Sequence, residues 1–110
     1  MRILFVDNHE VFAHLATQQF LGGHEVKCVP TLELARAAGQ DFDAVLVDYD
    51  LDDGTGDAFV GELLGAGFAG RIIATSSHAA GNAALVAAGA HVACPKSHFS
   101  ELPGLLQAAD

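Results

Sequence analysis

Five short apolar runs, each stopped by a polar residue and each followed by a helix-like stretch, constrain this chain more than any other feature. The runs are RILFV (2–6), ending at Asp7; HEVKCV (24–29), ending at Pro30; DAVLV (43–47), ending at Asp48; RIIAT (71–75), ending at Ser76 and Ser77; and HVAC (91–94), ending at Pro95 and Lys96. Four of them are almost continuously apolar, the pattern of parallel strands covered on both faces. The second alternates, with Glu25, Lys27 and Val29 opposite Val26 and Cys28. Strands that alternate with helices over such short links predict an α/β domain: a (βα)5 doubly wound, five-stranded parallel sheet with helices on both faces.

The intervening segments carry helix signals. HEVFAHLATQQFL places Val11, Leu15, Phe20 and Leu21 near one stripe, and Gly22-Gly23 stops it. Thr31 is the expected N-cap of TLELARAAG, which stops at Gly39. Asp57 is expected to cap GDAFVGELLGAG, and Asn82 to cap GNAALVAAGA, with Gly89 as its stop. SELPGLLQAA is expected to start at Ser100, with Pro103 in a first turn that tolerates proline. With 110 residues, 51% of them hydrophobic, and no repeat or linker, residues 1–110 form a single expected domain with a buried core and no output domain.

Charge excludes some functions. Five basic residues against fourteen acidic ones, net −9, leave too little positive charge to offset phosphates, so neither direct nucleic-acid binding nor an anionic membrane surface is expected. The apolar start MRILFV is too short for a signal-peptide core, and no segment approaches a membrane span, which predicts a cytoplasmic protein. Cys28 and Cys94 stand alone in apolar contexts and are expected to be buried free thiols; no CxxC or HxxxH pair supports zinc.

Chemistry collects at the strand ends. VLVDYDLDDGTGD (45–57) packs Asp48, Asp50, Asp52, Asp53 and Asp57, five of the chain's fourteen carboxylates, into ten residues. In an open parallel sheet ligands bind beyond the carboxyl ends of the strands, and there lie Asp7 and Asn8, Asp48, Ser76 and Ser77, and Lys96. Asp7 and Asp48 with Asn8 suit a hard divalent cation such as Mg²⁺, which takes one or two carboxylates and then a phosphate oxygen. A carboxylate such as Asp48 can itself be the nucleophile and form an acyl phosphate. Lys96 would pair with the phosphoryl group as a point charge, and the Ser76 hydroxyl could donate to one of its oxygens.

Taken together, these positions resemble the receiver domain of two-component response regulators (CheY-like), over essentially the whole chain. The family's acidic pair falls on Asp7 and Asn8 in VDNHE, its phosphoacceptor on Asp48 in VLVDYDL and its following glycine on Gly56. Its switch hydroxyl and small residue fall on Ser76-Ser77 in IIATSSH, and its lysine on Lys96 in CPKS, after Gly89-Ala90. The resemblance implies the flavodoxin-like receiver architecture and transfer of a phosphoryl group from a histidine kinase or phosphotransfer protein onto Asp48. Mg²⁺ would be held by Asp7, Asn8, Asp48 and the backbone carbonyl of Asp50, with Lys96 and Ser76 assisting. Such a chain is a self-catalysing phosphoacceptor rather than a multiple-turnover enzyme. It would signal by contact with a downstream protein through the fourth helix, fifth strand and fifth helix. Asp50 and His78, two positions beyond the acceptor and the switch serine, would flank the water that removes the phosphate and modulate its lifetime.

Several positions depart from the family. Asn8 replaces a carboxylate and weakens the expected metal affinity; Asp52 and Ser97 replace prolines; Ala93 replaces the aromatic switch ring. A cis bond before Ser97 would cost about 2.5–4 kcal/mol, so a trans bond is expected. The stretch from Ser76 to Lys96 is slightly short, which predicts a stunted or displaced fourth helix. These departures favour a competing reading, a phosphorylation-independent pseudo-receiver acting as a binding module. A calcium-loop reading of DYDLDDG fails because positions six and twelve hold Asp53 and Phe59 rather than Gly and Glu. The same DYD resembles the nucleophile motif of haloacid-dehalogenase-like phosphatases, but follows the third strand instead of the first. His9 and His14 are expected on the surface of the first helix, His9 near the rim of the acidic pocket.

Overall fold

In the computed structural model, which describes residues 1–107, five strands alternate with helices and two short strands lie between the third of them and its helix. The strands are β1 (Arg2–Val6), β2 (Glu25–Val29), β3 (Ala44–Val47), β4 (Asp50–Leu51), β5 (Gly54–Thr55), β6 (Arg71–Ala74) and β7 (Val92–Ala93). The helices are α1 (Glu10–Phe20), α2 (Leu32–Ala37), α3 (Gly56–Gly65), α4 (Ala79–Ala88) and α5 (Leu102–Gln107), with a 3₁₀ turn at Lys96–Glu101 before the last. Five strands make one parallel sheet in the order β2-β1-β3-β6-β7, and β4 and β5 form a separate small antiparallel hairpin. The expected (βα)5 doubly wound, flavodoxin-like architecture is therefore the one observed. The chain order reverses between β1 and β3, which opens a crevice at their carboxyl ends.

The continuous apolar runs are explained by two cores. On one face Leu4, Val6, Val45, Val47, Ile72 and Ala74 pack under α2, α3 and α4 through Leu32, Ala35, Phe59, Val60, Leu63 and Leu85. On the other, Ile3, Phe5, Leu46 and Ile73 meet Ala13 and Ala16 of α1 and Phe99, Leu102 and Leu106 near the end of the chain. Successive strand residues feed opposite faces, so the central strands have no polar side. Among the described residues no helix is long and apolar enough to cross a membrane.

Several local expectations are corrected. Val11 and Leu15 are 76% and 57% exposed, while Ala13 and Ala16 are buried. The face that wins carries Phe12 and Phe20, whose rings lie 5.2 and 6.5 Å from the Phe99 ring; two aromatics bury more area than two aliphatics. Thr55, not Asp57, is the N-cap of α3, and His78, not Asn82, that of α4. Asn82 lies inside α4, where its side chain reaches back to accept the Ser76 N–H at 2.8 Å and donate to the Ser76 carbonyl at 2.9 Å. Helix α4 is neither stunted nor out of place: it has ten residues and packs on α3, and the shortening falls on β7, reduced to two residues. The last helix starts at Leu102 rather than Ser100, with Pro103 in its first turn; its expected end at Ala108-Ala109 lies outside the described residues. The bond before Ser97 is trans, as expected.

The thiols divide. Cys94 is buried, but Cys28 is exposed on the edge strand β2, its sulfur 3.7 Å from the Thr17 hydroxyl. Burial, with the charge of Glu101, pushes the Cys94 thiol up to about 11. Thiolate is the reactive form, so a maleimide at neutral pH is expected to add once to the folded protein, at Cys28, and a second time only after denaturation. Intact mass on Cys28→Ser, which should stay unlabelled while folded, checks this.

Candidate functional site

The parallel ladder continues past the strands. Val6, Val47 and Ala74 are register partners, and the bonds Asp48 N–H to Val6 carbonyl and Thr75 N–H to Val47 carbonyl, both 2.9 Å, carry the pairing one residue further. Asp7, Asp48 and Thr75 thus stand in one row at the carboxyl ends of β1, β3 and β6. All three are buried, with 2%, 4% and 0% of their surfaces exposed.

Two buried carboxylates side by side require a counter-charge, and the Lys96 ammonium supplies it. Its Nζ donates to Asp48 Oδ2 at 2.9 Å, lies 3.0 Å from Asp7 Oδ2, and sits 5.1 Å from the centre of the Phe12 ring. Burial raises the Asp7 pKa; the His9 backbone N–H and Lys96 oppose the rise without cancelling it. Burial also disfavours the ammonium, but its hydrogen bonds to Asp48 and Asp7 and their charges outweigh that, so the Lys96 pKa ends above its ordinary value. Asp48 Oδ1 accepts the Tyr49 N–H at 2.8 Å, which leaves Oδ2 facing the lysine.

The other acids of the 45–57 loop have separate tasks. Asp53 accepts the N–H groups of Leu32 and Glu33, both at 2.9 Å, and so caps the preceding helix α2 alongside Thr31. Those two bonds hold its pKa below the usual carboxylate range. Asp52 accepts from the Asn8 amide at 3.2 Å, and Asp57 lies in the first turn of α3, where acid is favourable. Asp50 is exposed at the start of β4.

The sequence-derived site is brought together in part. Asp7, Asp48 and Lys96 converge, and Asn8 lies beside them. His78 is exposed at the N-cap of α4, where its backbone N–H donates to the Ser76 hydroxyl at 3.1 Å; neither its ring nor the Asp50 carboxylate joins the cluster of Asp7, His9 and Asp48. Ser76 is turned into the β6–α4 loop, its hydroxyl accepting from His78 and its backbone held by Asn82. Thr75 instead occupies the row beside Asp48, with its buried hydroxyl unpaired. Counting residues from the strand pairing identifies it, because Thr75 follows Ala74 as Asp48 follows Val47. His9 is exposed and lies at the rim of the acidic pocket. It is the N-cap residue of α1, and its Nδ1 lies 3.4 Å from Asp7 Oδ1, 3.9 Å from Asp48 Oδ2 and 3.1 Å from Lys96 Nζ. A cleft of about 500 Å³ opens beside it, lined by His9, Glu10, Val11, Phe12, Ser77 and Lys96.

The donor set fits a divalent cation. Asn8 Oδ1 and Asp7 Oδ2 are buried without a hydrogen bond, although Asp7 Oδ2 keeps its ion pair with Lys96. The ligand atoms of Asp7, His9 and Asp48 lie within 4.8 Å of one another.

No family model matches the sequence, and no curated protein matches it. Solved structures do. A CheY-like response regulator receiver domain protein from Methanospirillum hungatei superimposes with a TM-score of 0.83 at 22% identity, over 96% of this chain and 90% of that one. The response regulator TrrA of Thermotoga maritima, solved with Mg²⁺ and a beryllium fluoride, gives 0.81 at 23% identity over 96% of both chains. A Burkholderia pseudomallei response regulator with a phosphorylated aspartate and a calcium ion gives 0.84 at 21% identity, over 98% of this chain and 66% of that one. The fold of this chain is that of the CheY-like response-regulator receiver domains.

Proposed function

We propose that this chain is a phosphoacceptor receiver in the cytoplasm, a single domain that takes a phosphoryl group on Asp48 from a histidine kinase or phosphotransfer protein and signals by protein contact. The observation that carries the reading is the buried row of Asp7, Asp48 and Thr75 with Lys96 closing it. Asp48 Oδ2 would attack phosphorus while the bond from phosphorus to the donor imidazole breaks. The product is an acyl phosphate, and the imidazole leaves with the electron pair. Lys96 would then pair with phosphoryl oxygens. The Thr75 hydroxyl, unpaired in the row, is the better placed donor to them than that of Ser76, which already accepts from His78. Mg²⁺, held by Asp7, Asp48, Asn8 and the Asp50 carbonyl, would supply positive charge opposite the incoming phosphoryl oxygens. Asp50 and His78, at the rim, would act on the lifetime of the phosphate. The face of α4, β7 and α5 would contact the downstream protein.

The test is intact mass after incubation with a small-molecule phosphodonor and Mg²⁺. One phosphoryl adduct is expected on the parent protein and none on Asp48→Ala. Loss of one hydrogen bond to a charged group is worth about 1.5–3 kcal/mol, so Thr75→Ala should slow adduct formation by about tenfold or more, and Ser76→Ala should not. A second reading, a phosphorylation-independent binding module, is favoured by Asn8 in place of a carboxylate and by the Asn82 clamp on Ser76. Absence of both an adduct and Mg²⁺ binding would select it.

A further inference from the structure

The Lys96 ammonium sits in a cage of three acceptor atoms: Asp48 Oδ2 at 2.9 Å, Asp7 Oδ2 at 3.0 Å and His9 Nδ1 at 3.1 Å. An ammonium has donors only, so His9 Nδ1 takes the acceptor role in that contact. The cage is thus already shaped around a positive charge, and one of its walls is nitrogen. We propose that His9 is a ligand of the cation bound here, through Nδ1, and that it gives the site a preference for imidazole-binding later first-row metals such as Co²⁺ or Ni²⁺ over Mg²⁺. This rests on the reading of the Asp7–Asp48 pocket as the cation site and adds a donor to it.

Three observations support the assignment. Metal bonds of about 2.0–2.2 Å to nitrogen and oxygen place neighbouring donors about 3 Å apart and opposite ones about 4 Å apart. His9 Nδ1 lies 3.4 Å from Asp7 Oδ1 and 3.9 Å from Asp48 Oδ2, inside that span. The second observation is Asp7: its side chain is fully buried, and its Oδ2 is held by the Lys96 ammonium 3.0 Å away, a positive charge whose place a metal cation can take. The third is rigidity. The His9 backbone N–H donates to Asp7 Oδ1 at 2.8 Å, so the carboxylate holds the residue that carries the imidazole. Oxygen donors suit Mg²⁺, although the Asn8 amide is a weaker ligand than a carboxylate, whereas imidazole suits the later metals of the first row. A metal entering the cage must displace Lys96, which frees the ammonium to meet an anion.

The experiment is calorimetric titration of the full chain with Co²⁺ and, separately, with Mg²⁺, on the parent, His9→Ala, His9→Asp and Asp48→Asn. Asp48→Asn separates cage binding from adventitious binding elsewhere, above all at the Met1 amine and His24 Nδ1, which lie 3.1 Å apart. Expected is a Co²⁺ site in the parent that is absent in Asp48→Asn and weaker by about tenfold or more in His9→Ala, with Mg²⁺ affinity changed by no more than about twofold. His9→Asp should raise Mg²⁺ affinity and narrow the difference between the two metals. Equal Co²⁺ binding by the parent and His9→Ala, Co²⁺ binding that survives Asp48→Asn undiminished, or no cation binding at all would overturn the inference. The phosphodonor assay separates the two claims. His9-dependent Co²⁺ binding without a phosphoryl adduct defeats the phosphoacceptor reading alone, and an adduct with His9-independent binding defeats this one alone.

Discussion

Gly56→Ala is expected to destabilise the protein by about 3 kcal/mol or more, a large share of the roughly 5–15 kcal/mol that holds a domain together. A Cβ at this position would stand 2.0 Å from the Asp48 carbonyl oxygen, 2.9 Å from Val47 Cγ2 and 3.1 Å from the Asp48 carbonyl carbon. The two close backbone atoms belong to the end of β3, which is hydrogen-bonded on both sides, so no side chain can swing away to make room. The Gly56 N–H also donates to the Tyr49 carbonyl at 2.8 Å, which ties the start of α3 to the residue after Asp48. Relief of the clash must move Asp48 itself, so the variant should lose phosphoryl adduct as well as stability. Gly61→Ala is the control: it lies in the same helix, exposed, with nothing within 4 Å of the new methyl group. It should raise stability by roughly 0.5–1 kcal/mol through helix propensity. Urea denaturation of the three proteins decides. Equal midpoints for Gly56→Ala and the parent would mean that the end of β3 yields freely.

What the sequence made legible follows from burial. β1, β3 and β6 are covered on both faces, so their apolar runs are uninterrupted and their ends, Asp7, Asp48 and the residues after Ala74, stand out. Where only one face or one edge is covered, the signal fades. Cys28 sits on the edge strand and is exposed, although Val26, Val29 and Pro30 around it are apolar. In α1 two stripes share the same helical period, and composition alone did not show that Phe12 and Phe20 would meet Phe99. The β4–β5 hairpin is two residues on each side, too short for any periodicity, and the cap that Asp53 places on α2 connects residues twenty or more positions apart. At the site, the carboxylates and the lysine were visible as strand-end residues. Thr75 does not stand out, because a β-branched residue also continues a strand, whereas Ser76 reads as the first residue past it. The place of His9 depends on the turn between β1 and α1, which folds its ring back over Asp7.

Lys96→Met should cost about 3 kcal/mol or more near neutral pH, because removing one partner of a buried ion pair strands the other. Here it strands two: the Lys96 side chain is 12% exposed, and the side chains of Asp7 and Asp48 only 0% and 6%. The loss should depend on pH, and its sign follows from Asp7. Burial raises the Asp7 pKa in the folded state, against the influence of Lys96, which lowers it. A carboxyl whose folded pKa is raised contributes stability below its unfolded value, about 3.9, and loses that contribution as pH rises through the folded value. Without the ammonium the folded value rises further, so the variant keeps losing stability up to a higher pH than the parent does. The gap between the two proteins should therefore be smaller at pH 5 than at pH 7. Lys96 itself has a raised pKa, so its stabilising effect on the parent is complete below about 10.5 and lost only as pH rises through the folded value. Urea midpoints at pH 5 and 7 test this, with Asp48→Asn added to Lys96→Met as the second arm. Neutralising one carboxylate should recover part of the lost stability, a coupling expected only between groups in contact. A gap that stays constant with pH, and a double variant no more stable than Lys96→Met, would mean that Lys96 is held by packing on Phe12 rather than by the charges of Asp7 and Asp48.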